Sequence, residues 1–254
     1  MFQNIFLELE YDGSNYFGWQ IQNYKLEDRS NRPPIKTIQG ELECALKRLF
    51  NKEIKITYAS RTDRGVHALG QCVNFKVETG IPLKNIRGGL NSFLPDDIRV
   101  KKIKTVPLEF HSRFSVKSKI YRYIIYNSPQ PSVFHRNYSW FLPQSIDIGR
   151  INNNLYKLIG KKNFSCFAKG ANNYKSCVRH IKNIAVKKRG KFIYIDIEAD
   201  GFLRNMARNI VAFLVSIGVG KISSKDISRI INRKIPWVNK PAPSCGLYLY
   251  RVKY

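Results

Sequence analysis

Between Tyr58 and Gln71 the chain gathers Arg61, Asp63, Arg64 and His67, with Gly65 and Gly70 among them. Arg61 and Asp63 are two apart, so in extended chain their side chains leave on the same face. A guanidinium beside a carboxylate favours the charged form of the acid. An ionised aspartate can act as a covalent nucleophile or as a general base without any cofactor. The same residues could equally make an ordinary structural ion pair on a loop, and the stretch by itself leaves both open.

The flanks say how such a loop would be held. Ile54, Ile56 and Tyr58 before it, and Val73, Phe75 and Val77 after it, alternate with polar residues at the period of half-buried strands. The polar stretch between them is too long for a tight hairpin turn, and loops fixed between strands are where functional groups collect. Upstream, Ile5, Leu7, Leu9 and Tyr11 predict a strand, and Asp12-Gly13-Ser14-Asn15 supplies turn chemistry. The cluster Tyr16-Phe17-Gly18-Trp19-Gln20 reads as core, with base stacking as the sharper alternative. Leu26 to Ile35, with Pro33-Pro34, reads as a surface loop. Thr37 is placed to cap a helix that aligns Ile38, Leu42, Ala45, Leu46 and Leu49. Leu83, Ile86, Leu90 and Phe93 suggest a second helix ended by Pro95, and Ile98 and Val100 open another strand. The order β-α-β-β-α-β is that of a ferredoxin-like unit.

The pattern restarts between Thr105 and Glu109, which predicts an N-terminal α/β half at 1–105 and a C-terminal one at 106–254. In the second half, Lys119 to Tyr126 is a strand with aromatics on both faces, and burying its Arg122 would require a partner. Asp147 heads a helix carrying Ile148, Ile151, Leu155 and Leu158. Ile181–Val186 and Phe192–Ile197 make a hairpin. A long helix from about Phe202 to Ile217 sets Arg204 and Arg208 four apart on one face. A short helix near Lys225 to Ile231 and a strand at Leu247 to Tyr250 complete the pattern.

Composition bounds the chemistry. The 254 residues carry 44 Lys+Arg against 18 Asp+Glu, a formal charge of +26, with 43% hydrophobic residues. A chain able to build a core with that charge calls for a polyanionic partner, nucleic acid ahead of anionic lipid. Five scattered cysteines form no Cys-x-x-Cys pair and have no histidine cluster beside them, so neither a zinc site nor a disulfide framework is expected. No signal peptide and no membrane-length apolar run is read at the start or elsewhere, which predicts a cytoplasmic protein, or a stromal one if organelle-encoded. A Walker loop and Gly-x-Gly-x-x-Gly are both absent, against nucleotide-dependent chemistry and a dinucleotide-type methyl transferase. Asp63 is the one carboxylate of the polar loop, against a metal-dependent nuclease. There remains a basic nucleic-acid-binding protein, either passive or carrying one catalytic carboxylate. Acting on an unstacked base, such a carboxylate would need an aromatic platform and cations, for which Tyr121 and the Arg204/Arg208 pair are candidates.

Arg61-Thr62-Asp63-Arg64-Gly65-Val66-His67-Ala68 resembles the catalytic motif of the tRNA pseudouridine synthase A family. Tyr11 to Gln20, Phe110 to Ser115, Tyr121-Arg122-Tyr123, Met206 to Val211 and Gly246 to Leu249 resemble further segments of that family, in the family's order and across nearly the whole chain. The resemblance implies an α+β pseudouridine synthase fold, two ferredoxin-like or RRM-like halves joined through a central, mainly antiparallel sheet with the active-site cleft between them. It implies an isomerase that turns uridine into pseudouridine at positions 38, 39 and 40 of the tRNA anticodon arm. Asp63 matches the nucleophilic aspartate, Tyr121 the tyrosine that stacks on the flipped base, and Arg61 and Arg208 the arginines that hold the aspartate ionised and the base out of its stack. No cofactor, no metal and no membrane are implied; the partners are tRNA and a second copy in a homodimer. A non-catalytic RNA-binding or chaperone protein, or a synthase for a different tRNA uridine, are the alternatives. Arg64 stands where the bacterial family commonly has alanine, the Leu26–Ile35 loop is longer than in compact members, and Ala212 replaces a glycine. His67, His111, His135 and His180 are read as structural, and Trp19, Trp140 and Trp237 as core.

Overall fold

The structure is a computed structural model that describes residues 1–22, 35–237 and 240–254. The long Leu26–Ile35 loop, apart from Ile35, lies outside the described residues. The protein is a mixed α+β chain built on mostly antiparallel strand pairing, and it divides into two compact units. The first comprises Met1–Val116 with Leu249–Val252 and Tyr254; the second comprises Lys117–Tyr248 with Lys253.

The first unit runs β1 (Phe2–Tyr11), α1 (Ile38–Phe50), β2 (Thr57–Tyr58), β3 (His67–Glu78), α2 (Leu83–Phe93) and β4 (Ile98–Val106). β1 pairs antiparallel with both β3 and β4, and β2 pairs with β3. Alternation along β1 buries Ile5, Leu7 and Leu9. The helices close on that core: Thr37 caps α1 through a hydroxyl that accepts from Gly40 N at 3.2 Å, and Ile38, Leu42, Ala45 and Leu46 face inward. The buried Ile38, Leu42 and Leu46 side chains each contribute roughly 1.5–3 kcal/mol relative to exposure. Trp19 lies wholly inside, as core rather than as a surface platform.

Two expectations shift here. The Ile54–Tyr58 run is a strand only at Thr57–Tyr58, opposite Asn74 and Val73. Ile54 and Ile56 are buried all the same, as apolar anchors without ladder bonds. On the other side, β3 starts at His67, inside the polar motif, with Ala68 opposite Tyr11 and Gln71 opposite Leu9. Hydropathy hides this because His67 and Gln71 are buried with their polar atoms bonded, which a periodicity of apolar residues does not register.

The second unit contains β5 (Ser118–Asn127), β6 (Trp140–Leu142), α3 (Ile148–Asn152), β7 (Gly160–Asn163), β8 (Val178–Arg189), β9 (Phe192–Ala199), α4 (Met206–Gly218) and α5 (Ser224–Ile231). Its strands lie in the order β5-β9-β8-β7, antiparallel at each step, and β6 adds to β5 in parallel. The closing strand β10 (Leu247–Lys253) gives Leu249–Val252 to the first unit. The half-buried Arg122 has the partner its position demands: Nε and Nη2 donate to the two carboxylate oxygens of Asp196 opposite, at 2.8 and 2.7 Å. α4 is apolar nearly all round and buried on almost every side. It begins at Met206 rather than Phe202, because Asn205 takes a left-handed φ of 61° that ends the preceding chain direction. The helix expected through Leu158 stops at Asn152 and resumes as a 3-10 turn at Leu155–Lys157, across a run of asparagines that bond locally instead of extending a helix. Among the described residues no helix is long and apolar enough to cross a membrane.

One carboxylate on β9 carries pH-dependent stability. Glu198 accepts from Ser118 Oγ at 2.6 Å and from Lys253 Nζ at 2.9 Å. The Ser118 hydrogen bond first, and the Lys253 contact after it, hold its pKa below the ordinary glutamate value, against the opposing effect of burial. A depressed folded-state pKa gives stability that is present above the unfolded value and lost as pH falls through the folded one. Glu198→Gln is therefore expected to lower the melting temperature by roughly a few degrees at pH 7, with the deficit closing as pH drops below the usual glutamate range. Thermal melts of both proteins across that pH series check it.

Candidate active site

Asp63 sits half-buried in the segment Ala59–Val66, which leaves β2 and enters β3. At the start of the segment, the Gln71 side chain stands in for a missing strand. Its Nε2 donates to Ser60 O at 2.7 Å, and its Oε1 accepts from Ser60 N at 3.3 Å and Cys72 N at 3.2 Å. Ala59 N donates to Cys72 O at 2.8 Å. At the tip, Val66 N donates to Asp63 O at 3.1 Å and closes a turn in which Gly65 has φ +72°. Thr62 is tied down from below, its Oγ1 2.8 Å from Tyr11 Oη.

The segment Asp12–Trp19 forms the floor. Trp19 N donates to Thr62 O at 3.0 Å, and Gly65 N donates to Tyr16 O at 3.4 Å. Gly18, at φ +99°, lies so close that a Cβ there would stand 2.7 Å from Thr62 O and 3.2 Å from Arg64 N. A Cβ on Gly13 would stand 2.0 Å from Val66 O. Two backbones therefore touch directly across these glycines, and the floor under the loop carrying Asp63 is main chain. His67 braces the far end: its Nδ1 accepts from Gly13 N at 3.1 Å and lies 3.1 Å from Asp12 Oδ1. Tyr16 Oη donates to Asp97, and burial together with that bond pushes the phenol's pKa upward.

The two arginines beside Asp63 are both exposed and differ in setting. Arg61 Nε donates to Tyr58 Oη at 3.2 Å, and the Tyr58 ring packs 5.3 Å from the Trp19 indole. Arg64 places its guanidinium carbon 4.1 Å over the ring of Phe17.

Tyr121 and Arg208 belong to the second unit. Tyr121 lies on β5 opposite Ile197, 6% exposed, with the Phe202 ring edge-on at 4.8 Å. That contact fixes the plane of an aromatic ring. Arg208, in the first turn of α4, is strapped to Ala242: its Nε donates to Ala242 O at 2.6 Å, and its own carbonyl accepts from Ala242 N at 3.3 Å. Next to this strap, Pro243 O accepts from Tyr123 Oη at 2.7 Å. Asp63 and Arg61 thus share one loop of the first unit, and Tyr121 and Arg208 share neighbouring elements of the second.

Several positioning residues carry no signal of reactive chemistry in the sequence: Gly13, Gly18, Thr62 and Gln71. Gly18 in the aromatic cluster is the one trace that the sequence offers, since glycine interrupts an apolar run where backbone must approach closely.

Comparison with known proteins places these features in a family. The profile of the tRNA pseudouridine synthase family matches residues 9–115 and 155–254. The tRNA pseudouridine synthase A of Acetivibrio thermocellus is 39% identical over 253 residues, which cover 99% of this chain and 100% of that protein. The tRNA pseudouridine synthase A of Caldicellulosiruptor saccharolyticus is 40% identical over 253 residues, with the same coverage. The tRNA pseudouridine synthase A 2 of Clostridium tetani is 39% identical over 255 residues and the full length of both chains.

The backbone seat has a measurable consequence. Gly18→Ala meets both a left-handed φ and a clash with main chain, and is expected to destabilise by about 2–4 kcal/mol. Gly13→Ala should act in the same direction. Gly88→Ala, inside α2 with open space around its Cβ position, should stabilise by about 0.5–1 kcal/mol. Urea unfolding of the three variants checks the contrast.

Proposed function

Because the chain belongs to the tRNA pseudouridine synthase family, an isomerase family acting on tRNA uridines, we propose that it modifies positions 38, 39 and 40 of the anticodon arm through nucleophilic attack by Asp63. The target uridine leaves its stack, Asp63 attacks it, and the N-glycosidic bond breaks. The uracil then turns and is rejoined to the sugar through C5, and the bond to Asp63 breaks to give back the free carboxylate. The C5 proton leaves and N1 ends protonated, so substrate and product have the same composition and no redox partner is called for. Tyr121 stacks on the displaced base and assists proton transfer; Arg61 and Arg208 keep the carboxylate ionised and the base out of the helix. The chain acts as a cytoplasmic homodimer with one tRNA lying across both subunits, and the +26 charge serves the phosphate backbone. The first half, 1–105, carries the catalytic loop, the second, 106–254, carries Tyr121 and Arg208, and both are ferredoxin-like.

The observation that supports this best is the seat of Asp63. A half-buried carboxylate is held by a turn at Gly65, by Thr62 bonded to Tyr11, and by main chain under Gly18. That is rigid support for a group that must meet its target within a few tenths of an ångström.

Asp63→Ala is expected to abolish pseudouridine formation, mapped by carbodiimide treatment and primer extension, while tRNA affinity stays within about two-fold of the parent. Full activity in that variant would remove Asp63 as nucleophile. Tyr121→Phe should lower kcat by about 10²-fold or more. Modification at sites other than 38–40 would redirect the choice of uridine without touching the chemistry.

A further inference from the structure

Several arginines of the described residues are settled on acceptors. Arg122 is spent on Asp196, Arg99 on Asp96 and two carbonyls, Arg229 on Asp226, Arg179 on Ser176 O and Val178 O, and Arg208 on Ala242 O. Arg64 is different. It follows Asp63 directly, it is exposed, and among the described residues it has no hydrogen-bond acceptor and no ion-pair partner. Yet it is not a free-swinging side chain: its guanidinium lies 4.1 Å over the Phe17 ring. The Phe17 backbone is itself held, since its N donates to Lys36 O at 3.0 Å and its O accepts from the side-chain Nε2 of Gln22 at 3.1 Å. The Arg64 backbone rests on Gly18.

A guanidinium stacked on an aromatic face keeps its N–H donors at its edge, unlike an ammonium, and loses less freedom when those donors are used. Arg64 stands one residue from Asp63, and that edge is left without a carboxylate. We propose that Arg64 is a phosphate anchor: its guanidinium, held by Phe17, binds a backbone phosphodiester of the nucleotide that Asp63 attacks. The proposal rests on the tRNA reading above and adds to it a contact that positions the substrate. Flipping a nucleotide rotates its flanking phosphates, and a cation fixed beside the nucleophile holds the rotated backbone so that the base does not return to its stack. The interaction is electrostatic and releases a counterion, so salt dependence separates it from stacking of a base on the arginine plane.

The test measures tRNA binding by fluorescence anisotropy across a KCl series in the Asp63→Ala background, where turnover cannot intervene. Adding Arg64→Ala should raise Kd roughly three- to ten-fold near 0.1 M KCl and reduce the log–log salt slope by about one. Arg64→Lys should keep the slope and lose part of the affinity, and Phe17→Leu should do the same by releasing the side chain from its ring. With Asp63 intact, Arg64→Ala should raise KM far more than it lowers kcat. An unchanged Kd and slope would overturn the proposal. So would a raised Kd with an unchanged slope, which makes Arg64 a stacking surface, or a fall in kcat with KM constant. If the parent protein binds tRNA but forms no pseudouridine, the functional reading fails, and the binding series still decides whether Arg64 holds phosphate.

Discussion

The segment that carries Asp63 depends on main chain pressed against main chain. Trp19 N reaches Thr62 O, Gly65 N reaches Tyr16 O, and the missing side chains of Gly13 and Gly18 leave the gap in which this contact fits. Side-chain packing tolerates small repacking, because rotamers adjust; backbone contact does not, because any Cβ in the gap meets a carbonyl at well under van der Waals distance. Around that contact, the aromatic rings serve as walls. Trp19 is enclosed with Tyr11 at 6.0 Å on one side and Tyr58 at 5.3 Å on the other. Tyr11 and Tyr58 in turn bond the two residues that lead into the loop's tip, Thr62 and Arg61. The apolar core thus extends through hydroxyl groups into the polar loop.

What the sequence makes legible here follows from what each residue contributes. Apolar alternation reveals β1 because Ile5, Leu7 and Leu9 do the burying themselves. Capping chemistry reveals the starts of α1 at Thr37 and of α3 at Asp147, because the side-chain oxygen that ends the helix is written in the residue type. The start of β3 is different. His67 and Gln71 are as buried as their apolar neighbours, but only because Gly13, Ser60 and Cys72 present groups to bond them. Those partners are distant in the chain or offered by backbone, so the strand reads as loop until the contacts are seen. The early end of the 148–158 helix and the late start of α4 have a related origin: asparagines with local bonds or a left-handed φ override an apolar periodicity that is otherwise correct.

For the candidate site, residue type alone singles out Asp63, Arg61 and Arg64, since charge clustered in a polar stretch is visible in one dimension. Tyr121 and the Arg204/Arg208 pair are candidates from residue type as platform and cations, resemblance gives Tyr121 and Arg208 their particular roles, and the structure adds why those two side chains are fixed. Phe202 sets the ring of Tyr121, and the Ala242 strap sets Arg208. The floor of the loop was beyond reach of composition, because glycine's role there is an absence of atoms.

The division among the arginines follows from the same economy of contacts. With 44 basic residues and 18 acidic ones, most cations cannot find a carboxylate within the chain. The protein settles its half-buried arginines on carboxylates or carbonyls, as with Arg122 and Arg208, because an unpaired buried charge is costly. An exposed arginine is under no such demand and can be held by an aromatic face while its donors remain available. Arg64 on Phe17 meets both conditions, and the backbone beneath it is the same main-chain seat that fixes Asp63. One rigid element therefore carries a carboxylate and a cation together, the kind of preorganised support that fixed charges need.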